Sequence, residues 1–174
     1  KGVVLNNYDV GSYFVFYHFP ENRPFVDNRP EAYPSDFFRD LYIPMQRYEE
    51  KWHEALNKYG FSIVYWNYRD GTPWSDSFLH NVMNDDSWGL VHADNSIFVF
   101  VESESHPELF KSRITKDNAV ERLSSLLESD SRRDVKSGAE ILRRLGLLQQ
   151  ALGTYHELLE EDPKDIEVLL ALAS

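Results

Sequence analysis

Cysteine is absent from this chain. That excludes disulfides, thiolate nucleophiles and cysteine-ligated zinc. Positive charge is scarce: 18 Lys and Arg stand against 29 Asp and Glu, a net −11. The deficit is spread along the chain, with 10 basic against 17 acidic residues up to Ile114 and 8 against 12 beyond it. Neither part carries a basic footprint, so no nucleic-acid partner is expected. A polybasic hold on anionic lipid is disfavoured for the same reason. No apolar run approaches the roughly 20 residues that span a bilayer, and no signal-peptide pattern or Asn-x-Ser/Thr sequon occurs. The six histidines show no metal-ligand spacing, no Gly-x-Ser-x-Gly elbow is present, and no dinucleotide fingerprint is found. No cofactor or metal is expected.

What is present divides at a seam near Ile114. The chain is 42% hydrophobic and 14% aromatic, enough for a real core. No Trp or Phe follows Ile114, and amphipathic helical patterns run from there to the end. Two modules are expected: an α/β domain over 1–112 and a helical repeat region over 113–174. The start at Lys1, running at once into Val3-Val4-Leu5, reads as a piece of a longer protein.

In the first module, strands are predicted at 3–5, 25–27, 61–65, 90–92 and 98–101. The stretch 11–19 fits helix or strand by periodicity alone. Asp9 is a candidate N-cap before it. A helix capped by Ser35 or Asp36 is predicted from Phe37 to Tyr59, broken at Pro44 and ended by Gly60. A short helix is expected over 73–84, and a polar link over 103–114. The alternation points to a layered α/β domain with a mixed, mostly parallel sheet, followed by an all-α segment. In that segment Thr115 caps a helix to Glu128. Further helices are predicted over 132–145 and 148–161, with a fourth starting at Asp165 after the Asp162-Pro163 break.

Two polar clusters are site candidates. Asp9, Asp27, Arg29 and Glu31 lie at the start of a helix and at the end of a strand, where α/β active sites form. The bland reading is that Asp27 and Arg29 pair to fix a turn, with Asn28 in the left-handed conformation. The second cluster, Arg133, Lys136, Glu140, Arg143 and Arg144, shares one face of the helix over 132–145. Grouped Arg and Lys suit a carboxylate or phosphate, and nothing opposite suggests a compensating block of acids. The bland reading is a solvated charged face balanced by nearby Glu and Asp, and Glu140 in its middle argues against a simple anion clamp.

Ala139, Leu142, Gly146, Ala151, Tyr155, Leu158 and Pro163 fall on the spacing of a tetratricopeptide repeat, with the two alanines where its helices cross. One full repeat would cover about 132–165, with another beginning after it. This resemblance implies a protein partner, and the basic residues of the first helix suggest an acidic one.

A second resemblance rests on an ordered set. It comprises Asn7-Tyr8-Asp9-Val10-Gly11-Ser12-Tyr13-Phe14, Pro24-Phe25-Val26-Asp27-Asn28-Arg29-Pro30-Glu31-Ala32-Tyr33, Trp52, Tyr59-Gly60-Phe61-Ser62-Ile63-Val64 and Trp88-Gly89-Leu90-Val91-His92-Ala93-Asp94. Together these resemble the extracytoplasmic tail that follows the last membrane helix of bacterial C-type glycosyltransferases, relatives of the lipid-linked mannosyltransferases and oligosaccharyltransferases. The family usually has Gly-Gly-Tyr-Leu in place of Gly11-Ser12-Tyr13-Phe14, and Asp-Gly-Arg in place of Asp27-Asn28-Arg29. The resemblance implies a non-catalytic domain on the outer face of a bacterial membrane, joined to it by upstream helices. The family's catalytic acids lie in membrane loops, so it implies no catalytic residue here. Two other readings stay open: a stand-alone interaction scaffold, and a small enzyme using Asp9, Asp27 and Arg29.

Overall fold

The computed structural model describes residues 3–173. The chain forms two compact units. One holds the residues up to His92 together with Ile97–Arg113, and the other holds Ala93–Ser96 with the residues from Ile114 onward.

The first unit is built on a five-stranded mixed sheet. Its strands are β1 (Val3–Asn6), β2 (Arg23–Pro24), β3 (Ile63–Asn67), β4 (Trp88–Ala93) and β5 (Ile97–Glu102), in the order β2-β1-β3-β5-β4. β1 runs parallel to both its neighbours, with Leu5 opposite Val64 and Val3 opposite Arg23. β3 and β5 are antiparallel, with Tyr65 opposite Val99. The sheet is therefore parallel only on the β1 side, rather than mostly parallel, because the tight return from β4 to β5 forces the other half to alternate. Val64, Trp66, Phe98 and Phe100 on the sheet are buried with Trp52, Phe78, Leu79 and Val82 from the helices. Trp66 packs on Phe78 with ring centres 4.3 Å apart and donates its indole N–H to Ser75 Oγ at 2.9 Å.

The second strand lies earlier than the predicted 25–27 and spans two residues. Phe25 N–H still donates to Val4 O, but beyond it the buried Asn6 side chain replaces the ladder. Its Oδ1 accepts from the Phe25 and Val26 N–H groups, and its Nδ2 donates to Val26 O at 2.7 Å.

The stretch left open between helix and strand is α1 (Gly11–His18). Its first residue must be small, since a Cβ on Gly11 would lie 2.1 Å from Val26 O. Asp9 does not cap it. Val10 holds the cap position without a side-chain bond, and Asp9 accepts from Asn67 Nδ2 instead.

The long helix predicted from Phe37 breaks into three pieces. Phe37–Tyr42 is a π-helical turn in which Ile43 N–H reaches back to Phe38 O. α2 (Pro44–Arg47) starts at the proline, and α3 (Glu49–Tyr59) ends at Gly60, whose φ of 65° is the left-handed stop that glycine permits. Neither Ser35 nor Asp36 gives a side-chain cap there. α4 (Ser75–Met83) follows β3. The polar link contains α5 (Pro107–Lys111), with Pro107 in the first turn, where its missing N–H costs nothing.

In the second unit the helix predicted over 115–128 is two short turns, α6 (Ala119–Arg122) and α7 (Ser124–Leu127), parted at Leu123. Thr115 does not cap α6: Asn118 holds the cap position without a side-chain cap bond, and its Oδ1 instead accepts the Thr115 N–H at 2.8 Å. α8 (Arg132–Arg144) and α9 (Leu148–Glu161) form a hairpin. Gly146, at φ 77°, closes α8 by donating to Arg143 O, while Leu147 N–H donates to Leu142 O. Ala139, Ala151, Tyr155 and Leu158 are buried. α10 (Ile166–Ala173) begins after Asp165, whose Oδ1 accepts from Val168 N–H. No helix among the described residues is long and apolar enough to cross a membrane.

Candidate functional site

The chain leaves β1 toward β2 on one side. It leaves β3 toward the β5-β4 half on the other. Their carboxyl ends therefore diverge, and a crevice opens between them. This is the point at which open α/β sheets bind ligands.

A pocket of about 340 Å³ lies there, lined by Tyr8, Pro30, Phe38, Tyr42, Ile43, Asp70, Thr72 and Trp74. Tyr8 follows β1, and Asp70, Thr72 and Trp74 follow β3. Phe38 and Tyr42 come from the π turn, whose widened spacing brings residues four apart onto one wall. Tyr8 meets Phe38 edge-on, with ring centres 5.7 Å apart at 78°, and Phe38 meets Tyr42 at 5.8 Å and 86°. Three rings thus turn successive corners.

The strand-end asparagines hold this wall in place. The Tyr42 hydroxyl donates to Asn6 O at 3.0 Å. Asn7 Nδ2 donates to Asp70 Oδ2 at 2.9 Å, and Asn7 Oδ1 accepts from Asn67 N–H at 2.5 Å. The second Asp70 oxygen accepts Thr72 N–H at 2.9 Å. Burial, with Asp70 and Asp9 adding to it, pushes the Tyr42 hydroxyl far above its usual value, so it stays protonated.

The polar cluster read from the sequence flanks this pocket without entering it. Tyr8 and Pro30 form walls, whereas their neighbours Asp9, Arg29 and Glu31 do not. The Asp27 side chain is 6% exposed and is held by Arg29, whose own side chain is 67% exposed, with Nη2 2.5 Å from Oδ2. Arg29 Nε and backbone N–H also donate to Asp27, and these bonds hold the Asp27 carboxyl below its usual range against the opposing effect of burial. Asp27 N–H donates to the Tyr33 hydroxyl at 3.0 Å. Asn28 is not left-handed, since only glycines among the described residues have positive φ. Its side chain instead clamps α1, accepting Ser12 N–H and donating to Asp9 O. Among the described residues no group of His, Asp and Glu is arranged to hold a metal.

On the hairpin, the expectation of unopposed basic residues does not hold. Lys136 Nζ lies 3.1 Å from Asp165 and 2.5 Å from Glu167. Arg143 and Arg144 both bond Glu140, at 2.8 and 2.6 Å. Burial alone would raise the Glu140 carboxyl, but the two guanidinium groups outweigh it and hold it below its usual value. Arg133 is exposed. The opposing acids are Glu140 on α8 itself and Asp165 and Glu167 around the start of α10.

The pocket residues carried no motif in the sequence. Asp70-Gly71-Thr72-Pro73 directly after a strand was the one available signal, since a turn at a parallel strand's carboxyl end is where ligands sit. Comparison with protein-family models, with curated proteins and with solved structures gives no match, so the site stands on its own geometry.

Proposed function

We propose that this chain is a non-catalytic, extracytoplasmic region of a larger bacterial membrane protein resembling a C-type glycosyltransferase. In this reading the α/β unit binds a small ligand between the ends of β1 and β3. The helical hairpin, read as a tetratricopeptide repeat, engages another protein. The observation that carries the binding role is the pocket of converging rings at the sheet's switch point. Asp27 is committed to Arg29, and Asp9 to Asn67. That favours binding over an enzyme built on Asp9, Asp27 and Arg29. The membrane context rests on the ordered sequence resemblance.

Saturation-transfer NMR on the full chain, with a panel of small ligands, tests the binding role. Ligands that bind should lose their signal in Phe38→Ala and Trp74→Ala proteins that still fold. Ligands indifferent to both changes, or turnover of a lipid-linked sugar by the chain, would overturn it. Several membrane-spanning segments encoded upstream of Lys1 are expected in the parent gene, and their absence would end the membrane reading.

A further inference from the structure

Resting on the pocket's role as a binding site, we propose that it takes a quaternary ammonium head, a small cation whose charge is wrapped in methyl groups. Three features select that chemistry. First, Tyr8, Phe38 and Tyr42 present ring surfaces at successive near-right angles, with Trp74 as a further wall. Ring faces carry negative quadrupole density, and several of them around one point attract a cation. The affinity of Trp74 for cations is already expressed within the chain: the Arg47 guanidinium lies 5.6 Å from its ring centre, although Arg47 does not line the pocket.

Second, Asp70 is the one charged residue among those lining the pocket. Its charge is complementary to such a head, and the surrounding sequence adds to it, with 17 acidic against 10 basic residues up to Ile114.

Third, of the pocket's buried hydrogen-bonding side-chain atoms only the Thr72 hydroxyl lacks a partner. Both Asp70 oxygens accept bonds from the chain, from Asn7 and from Thr72 N–H, and the Tyr42 hydroxyl donates to Asn6 O. A sugar needs several free partners for its hydroxyls, and a primary ammonium needs acceptors for three N–H bonds. A quaternary ammonium has no N–H and needs only charge and apolar surface. The volume, about 340 Å³, is at the small end for ligand pockets and fits a head group rather than an extended molecule.

The test uses the full chain, with the Trp74 indole N–H resonance (assigned by its loss in Trp74→Phe) as the reporter. Choline and its neutral carbon isostere 3,3-dimethyl-1-butanol are titrated side by side, with methyl glucoside as a third probe. Choline is expected to bind about five- to tenfold tighter than the isostere. Phe38→Leu keeps an apolar wall but removes a ring, and Asp70→Asn keeps an oxygen for Thr72 N–H but removes the charge. Each should weaken choline severalfold and leave the isostere unchanged. Retention on phosphatidylcholine vesicles, competed by free choline, would identify a lipid as the source. Binding of free choline without vesicle retention would identify a soluble one. If the isostere or the glucoside binds as tightly as choline, the cation assignment fails while the pocket's binding role survives. If none of the probes moves the Trp74 resonance, the cation assignment fails, and the wider ligand panel decides the binding role.

Discussion

Asn6 shows how much one side chain can set. It sits with no exposure at the end of β1, in what reads as a polar turn, yet it completes the bonding of the chain segment that follows β2. Removing it leaves the Val26 N–H and Val26 O short of partners in the interior, while Phe25 N–H keeps Val4 O. Each buried unsatisfied group costs about 1–3 kcal/mol. Asn6→Ala should therefore lose about 3 kcal/mol in urea unfolding, and a loss below about 0.5 kcal/mol would show that the latch is not formed. Arg29 behaves differently, because water reaches its side chain and can replace it at Asp27. The Asp27 carboxyl is held below its usual 3.8, chiefly by its bonds to Arg29. A depressed carboxyl stabilises the fold above the unfolded value and loses that stabilisation as pH falls through the folded one. Arg29→Ala should thus melt below wild type at neutral pH, and the gap should narrow as pH falls below about 3.8. A gap that stays constant across that range would remove the pair from the stability account.

At the level of elements, segments were legible where local chemistry sufficed. α9 falls on its predicted residues, and α8 and α3 end where a left-handed glycine was expected. The sequence misled where a side chain stood in for backbone. Asn6 shortened the second strand, and the Asn118 side chain bonds the Thr115 N–H ahead of α6. The pocket was illegible for a related reason. Tyr8, Phe38 and Trp74 are far apart in sequence, carry no titratable signature of a site, and meet only through strand order. The α8–α9 hairpin gives the clearest element-scale prediction. Ala139 and Ala151 are both essentially buried, and small side chains at a crossing allow axes to approach to about 8–10 Å. Ala151→Leu should overpack it and lower stability by about 1–3 kcal/mol in thermal or urea unfolding. An Ala151→Leu protein as stable as wild type would mean that the helices have slack there.

For the molecule as a whole, charge decides which partners the proposed repeat can take. The chain is net −11, and Lys136, Arg143 and Arg144 are engaged by its own acids. Lys136 bonds Glu167 at 2.5 Å, a contact that raises the lysine's proton affinity above its usual value, and the Glu167 side chain is 78% exposed. An acidic peptide arriving at α8 must compete with that carboxylate, so wild-type affinity should be modest and should fall as salt screens both contacts. Glu167→Gln removes the competitor and leaves Lys136 with Asp165. Exposed pairs of this kind are worth about 0.2–1 kcal/mol, so the change should strengthen an acidic peptide by up to about fivefold at low salt. A neutral peptide of matched length should be unaffected. Titrations of both peptides against both proteins at two ionic strengths separate the outcomes. If Glu167→Gln changes neither peptide, or both equally, the basic side chains of α8 serve to hold α8 against α10, and the partner is recognised elsewhere.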